Sequence, residues 1–268
     1  MTIEKLCDGI GLDSELKGEI LNYNMTEKVY GEFQRLLKED RKEFVRGIES
    51  REDSHMFALV LYCMLAVDVY EDYMKRGISD EIYMDTFRDF KIWSQVCEKK
   101  FHEQGLTEYE WLTLPLELKI VRLGRLQFEP AQLEEDVQVN GEILKVGTKV
   151  LDVHIPEGEP LSDEACEEAF RKADAFFGKE YKAYVCTSWL VSPEIKKLVS
   201  PQSNIAKFQA RFHVYGTIYP FRQAEERVFG EILSDKSLYS EESSLQKMLK
   251  AYVADGKDPG MGCGVIFR

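Results

Sequence analysis

The chain has 268 residues, 44% of them hydrophobic and 31% charged, with a formal charge of −13 and a pI near 5.0. A chain of this size buries one large core or two modest ones, and its composition excludes wholesale disorder, collagen-like repeats and low complexity. The acidity excludes a duplex nucleic-acid binder and a protein that docks on anionic lipid, since both need a basic face.

The opening MTIEKLCDGIGLD lacks the basic start and apolar core of a signal peptide. Asp13 to Tyr23 suits a short helix. Thr26 is an N-cap for an amphipathic run through Val45, with Glu27 in its first turn. Ser54 or Asp53 caps an apolar helix that runs to Tyr73 and ends at Gly77. Its most apolar part, Met56 to Val69, is short for a membrane span and reads as a buried helix. Ser79 caps a further helix through Phe87, Phe90 and Trp93 to about Phe101. No proline occurs before Pro115, and four or five helices are expected up to about Gly105.

From Trp111 the pattern changes. Residues 1–110 carry 15 basic and 24 acidic side chains (−9), and residues 111–268 carry 20 and 24 (−4). Leu116 to Phe128 alternates in the manner of a strand, with Gly124 as a bulge. Ile143–Val146 and Lys149–Ile155 form a hairpin around Gly147. Ser162 opens a helix that Gly178 stops, and Tyr181–Trp189 is a strand. Pro193–Val199 and Ser203–Arg211 are short helices, the second capped by Ser203 or Asn204. Phe212–Tyr219 is a strand, Arg222–Leu233 and Leu245–Ala254 are helical, and Gly264–Phe267 closes the sheet. The expected fold class is α+β: an all-helical domain over 1–110, then a mixed α/β sheet domain over 111–268.

The usual signatures are missing. There is no phosphate-binding G-x-x-x-x-G-K-[ST], no G-x-S-x-G and no H-E-x-x-H. Gly260, Gly262 and Gly264 read as a flexible connection. The cysteines, at 7, 63, 97, 166, 186 and 263, have no C-x-x-C spacing, so they suit reduced thiols of a cytoplasmic protein. The four histidines are far apart, and no metal site is expected. A hydrolase working through Cys186 or Ser188 has no recognisable partner spacing.

Two stretches carry chemistry. In residues 151–177 a strand runs through a Pro/Gly turn into a capped helix, a junction that aims helix amides at an anionic ligand. On that strand Asp152 and His154 share a polar face, opposite Leu151, Val153 and Ile155. They read either as a tuned general base or as a histidine hydrogen-bonded within the fold. In residues 184–212 a strand again runs into helices, with Ser188, Ser203 and Asn204 at turns and caps. Residues 182–211 hold Lys182, Lys196, Lys197, Lys207 and Arg211 against Glu194 alone, a local +4. This reads either as a solvated helix face or as a docking edge for a phosphorylated cofactor.

WLTLPLELKIVRLGRLQFEP, HIPEGEPL, SWLVSP and SNIAKFQARF resemble a bacterial acyltransferase-like family. In that family a helical N-terminal acyltransferase domain precedes a domain similar to the GNAT N-acetyltransferase fold, and the resemblance covers essentially the whole chain. It implies transfer of an acyl group, such as acetyl, from acetyl-CoA or another acyl-CoA to a small-molecule amine or a peptide. It leaves a homo-oligomer open.

It also implies that strand 149–155 and helix 162–177, with Gly158 between them, hold the cofactor pyrophosphate. Strand 183–189 and helix 203–211 then splay away to admit pantetheine, bringing Ser188, Trp189, Ser203, Asn204, Lys207 and Arg211 to the cofactor. His154, with Asp152 as orienter, and Glu129 are the candidate bases, and Tyr215 is the candidate acid. The turn departs from the GNAT pattern: an arginine or glutamine and two glycines are replaced by Glu157, Gly158, Glu159, Pro160, Leu161, Ser162, Asp163 and Glu164. These four carboxylates would repel a pyrophosphate unless they point away, and Pro160 removes a donor. A non-catalytic binding or assembly module is the alternative.

Overall fold

The chain, described over all 268 residues by a computed structural model, divides into two units, Met1–Leu123 and Gly124–Arg268. The first is helical. Thr2 caps α1 (Ile3–Ile10), which the sequence pattern does not announce, and Asp13 caps α2 (Ser14–Asn22). The amphipathic run from Thr26 is two helices, α3 (Glu27–Glu39) and α4 (Arg41–Glu49). Asp40 leaves the helical region at φ −150° and ψ 87° and accepts from the Glu43 N–H at 3.0 Å. A mid-run aspartate thus ends one helix and caps the next, as its short carboxylate favours.

Helix α5 (Ser54–Lys75) is apolar around its whole circumference, with Phe57 to Cys63 all buried. Its length and composition alone would let it cross a membrane, but half of its most apolar window is buried inside the protein. Asp53 precedes it without capping it, because the carboxylate accepts from the Tyr23 hydroxyl and pairs with Arg51. The stretch from Ser79 is again two helices, α6 (Asp80–Phe87) and α7 (Asp89–Phe101), parted at Arg88.

Residues 109–123 also fold on the helical side. The Tyr62 hydroxyl donates to the Tyr109 carbonyl at 2.5 Å, Tyr73 to the Pro115 carbonyl at 2.7 Å, and Trp111 Nε1 to Asp89 at 3.3 Å. Helix α8 (Thr113–Leu116) and the short strand β1 (Val121–Leu123) follow from these ties. The division therefore falls at 123/124, not at 110/111. Leu116–Phe128 is not one bulged strand: Gly124, at φ +73°, is a turn before β2 (Leu126–Gln132).

The second unit continues with β3 (Val137–Val139), β4 (Glu142–Leu144), β5 (Lys149–His154), α9 (Asp163–Phe176), β6 (Ala183–Ser188), α10 (Pro193–Leu198) and α11 (Asn204–Ala210). It closes with β7 (His213–Ile218), α12 (Gln223–Phe229), α13 (Ser244–Ala254) and β8 (Met261–Phe267). Its sheet runs β2-β5-β6-β8-β7, with β3 and β4 as a separate ribbon. β5 and β6 are parallel, and β2–β5, β6–β8 and β7–β8 are antiparallel.

The hairpin expected around Gly147 does not form. β4 pairs with β3 across Asn140–Gly141, at φ +51° and +85°, the left-handed pair that a tight hairpin requires. β5 is left to pair with β2, which sets Glu129 opposite Asp152 and Gln127 opposite His154.

The last strand begins at Met261 and lies inside the sheet, so Gly262 and Gly264 are not in a flexible connection. A Cβ on Gly262 would meet the Val191 carbonyl oxygen at 2.3 Å, and one on Gly264 would meet Phe212 and Val191 side chains at 2.8 Å. These glycines let neighbouring chain lie directly on the strand.

Phe170 of α9 packs against Phe128 and Tyr184 on one face of the sheet, at ring separations of 5.9 and 4.8 Å. Leu133 and Val137 cover Val150, Ala183 and Val265 on the other.

Candidate active site

The parallel ladder between β5 and β6 is short. It pairs Leu151 with Tyr184 and Asp152 with Val185, and stops there. Beyond that row β5 stays on β2 as far as His154 opposite Gln127, and β6 stays on β8 as far as Ser188 opposite Gly262. Each strand keeps its outer partner while the two lose each other.

Strand alternation places Gln127, Glu129, Asp152, His154, Val185 and Thr187 on one face, with Phe128, Val153 and Cys186 on the α9 side. On the first face His154 Nε2 lies 3.2 Å from Glu129 Oε2 and 3.9 Å from Asp152 Oδ2. The three side chains keep between 25% and 33% of their surface open, so a substrate can reach them. Burial raises the Asp152 carboxyl above the ordinary aspartate range; the nearby His154 opposes this, and Glu129 adds to it. Glu129, not Asp152, makes the hydrogen bond to the imidazole.

Tyr215 is not a neighbour of His154, because β6 and β8 lie between its strand and β5. It packs with Val150, Ala183, Val185 and Val265, and burial pushes its phenol up to about 12. A phenol raised in this way is a weaker proton donor than an ordinary tyrosine. Cys186 is 1% exposed and burial holds its thiol well above the ordinary range, which removes it as a nucleophile. Ser188 accepts from the Leu190 N–H at 3.2 Å and serves as a cap.

The turn after β5 is built by three arginines, of which the sequence pattern singles out only Arg211. Arg125 is 6% exposed and donates to the carbonyls of Glu159 at 2.8 Å and Pro160 at 3.2 Å. Arg227 of α12 pairs with Glu157 at 3.2 Å, and Arg211 pairs with Asp163 at the start of α9. Two of the four carboxylates expected to repel a phosphate are thereby neutralised. Gly158 lies exposed at φ +91° in this turn, and Ser162 caps α9 through the Ala165 N–H at 3.2 Å.

The other cofactor candidates divide. Arg211 is engaged by Asp163, and Lys207, one helical turn before it, is exposed without an ion pair. Ser203 caps α11 through the Ala206 N–H, and Asn204 follows it, exposed, at the far end of that helix from Arg211. Trp189 packs, half buried, with the Ile195, Ala224 and Val253 cluster, and its backbone N–H donates to Gln223 Oε1 at 3.1 Å.

Comparison with known proteins follows this geometry. Residues 120–266 match the family model of the GNAT-like C-terminal domain, and residues 1–118 that of the N-acyltransferase N-terminal domain. Among solved structures, an acyltransferase in complex with decanoyl-CoA and teicoplanin is similar at 20% identity and a TM-score of 0.78. An acyltransferase mutant in complex with octanoyl-CoA gives the same values. A complex with decanoyl-CoA alone gives 21% and 0.77. Each alignment covers 98% of this chain and 86% of the other. A comparison with curated proteins finds no match.

Proposed function

Because the chain belongs to the family of the GNAT-like C-terminal domain, we propose that it transfers an acyl group from acyl-CoA to an amine. The observation that carries this reading is the Glu129–His154–Asp152 cluster at the row where β5 and β6 part. The acyl-CoA complexes of the similar structures support the donor. The acceptor is an amine on a small molecule or a peptide.

The thioester arm lies in the gap between β5 and β6. The amine nitrogen attacks the thioester carbonyl carbon, and backbone N–H groups along the gap stabilise the oxyanion. His154, whose imidazole lies within hydrogen-bond distance of Glu129, takes the amine proton. The C–S bond breaks, the amide forms, and the CoA thiolate takes a proton from solvent, since Tyr215 lies two strands away from the gap. Asp152 tempers the charge on the imidazolium from the same face. The six free thiols suit the reducing cytoplasm in which CoA thiols persist.

The test is release of free CoA thiol from acetyl-, octanoyl- and decanoyl-CoA over a panel of primary amines. Amine-dependent release supports the reading. Binding of acyl-CoA without release by any amine would leave a binding module in its place.

A further inference from the structure

Helix α12 reaches both banks of the gap. Gln223 accepts the Trp189 backbone N–H just past the end of β6, and Arg227 Nη1 donates to Glu157 Oε1 at 3.2 Å in the turn that follows β5. The two side chains are four residues apart, so they share one helix face about 6 Å apart along the axis. The opposite face is anchored. Glu225, 2% exposed, accepts from two Arg222 nitrogens at 2.5 and 2.6 Å, and from Lys236 Nζ and the Tyr239 hydroxyl at 2.7 Å each. Held from behind, α12 ties together the ends of the two strands that part.

The outer tie is the weaker one. Arg227 and Glu157 keep 28% and 40% of their side-chain surface exposed, and a pair this open adds little stability. CoA's phosphates compete well for a guanidinium, since they accept the same two parallel hydrogen bonds as a carboxylate and together carry more charge. Glu157 stands in the turn that leads from β5 into α9, directly after the strand that borders the gap.

We propose that Arg227 is a CoA-phosphate ligand held in reserve by Glu157, and that α12 straps the bound cofactor across the mouth of the gap. The proposal rests on the acyl-CoA reading above. When CoA enters, the guanidinium passes from the Glu157 carboxylate to a phosphate, the carboxylate turns to solvent, and no covalent bond changes. Glu157 is then a competitor of the cofactor, so removing it helps binding while removing Arg227 harms it. A pair that merely braces the fold would give both changes the same sign.

The experiment is calorimetric titration of CoA, 3′-dephospho-CoA and pantetheine into the wild-type protein, Arg227→Gln and Glu157→Gln. Arg227→Gln weakens CoA about 10-fold, the scale of one charge-assisted contact. Glu157→Gln tightens it about 2- to 5-fold, the scale of one released exposed pair. Pantetheine, which has no pyrophosphate, responds to neither change. A penalty that persists with 3′-dephospho-CoA assigns Arg227 to the pyrophosphate, and one that disappears assigns it to the 3′-phosphate; both support the proposal. If Arg227→Gln does not fold, tightening by Glu157→Gln alone supports it, and unchanged or weakened binding overturns it. Wild-type protein that ignores CoA overturns the acyl-CoA reading and this assignment together. Wild-type protein that binds CoA, with both variants indifferent or both weaker, overturns the assignment alone.

Discussion

His154 has two carboxylates within reach, and they are not equivalent. Glu129 hydrogen-bonds the imidazole at 3.2 Å, while Asp152 stands 3.9 Å away and is held above its ordinary range by burial. His154→Ala is therefore expected to lower kcat by about 10²- to 10⁴-fold, as loss of a general base does, with CoA affinity within about 2-fold of wild type. Single-turnover kinetics beside a CoA titration separates the two; affinity falling with kcat would make His154 a fold residue.

Asp152→Asn tests the electrostatics through stability. A carboxyl whose folded pKa is raised binds its proton more tightly in the native state. Its ionised form therefore costs stability at neutral pH, and that cost disappears as pH falls below the ordinary aspartate value of 3.8. The asparagine variant should melt higher than wild type at pH 7 and lose that advantage in acid. An unchanged or lower melting temperature at pH 7 would contradict the burial argument. Asp152 and His154 were legible in the sequence as alternate residues of one strand. Glu129 was legible as a lone candidate, but its contact was not, because that depends on which strand β5 chooses.

The choice of strand partner is decided at the scale of elements. Asn140–Gly141 closes the β3–β4 ribbon, which leaves β5 to pair with β2. A two-residue turn signal therefore sets the geometry of the candidate site from more than ten residues away. The helix splits at Asp40 and Arg88 hide for a related reason: hydrophobic periodicity continues across both, and only the backbone breaks. Gly262 and Gly264 look like a linker in a Gly/Pro-rich stretch, yet they lie in an inner strand because Val191 and Phe212 press on them. Gly262→Ala drives a methyl into the Val191 backbone, which cannot rotate away as a side chain can. A loss of about 3 kcal/mol or more is expected, at or beyond the upper end of ordinary overpacking costs, read by denaturant unfolding. A loss below about 1 kcal/mol would mean that Val191 yields, and that the close approach does not need glycine.

For the whole molecule, the order of a helical unit and then a mixed sheet unit was legible from composition and periodicity. Proline is absent before Pro115, and alternation replaces helical periodicity soon afterwards. The position of the division was not legible, because the aromatic hydroxyls and the indole that hold residues 109–123 on the helical unit are spread over Tyr62, Tyr73 and Trp111. Neither were Arg125 and Arg227 of the acidic turn, nor the pairing of Arg211 with Asp163, since the three arginines come from separate segments. Their convergence turns a site that looks repulsive to phosphate into one with charges of both signs. CoA at about 100 times its dissociation constant should add about 2.7 kcal/mol to the unit that binds it, a rise in melting temperature of several degrees. Unchanged melting at millimolar CoA would remove the cofactor from the account.

The most direct measurement is diffraction from crystals grown with a non-hydrolysable decanoyl-CoA analogue. The predicted density places the pantetheine arm between Val153 and Cys186, beyond the Asp152–Val185 row, with the thioester position beside His154. An acyl-CoA bound away from β5 and β6, with that gap filled by the protein's own side chains, would contradict it.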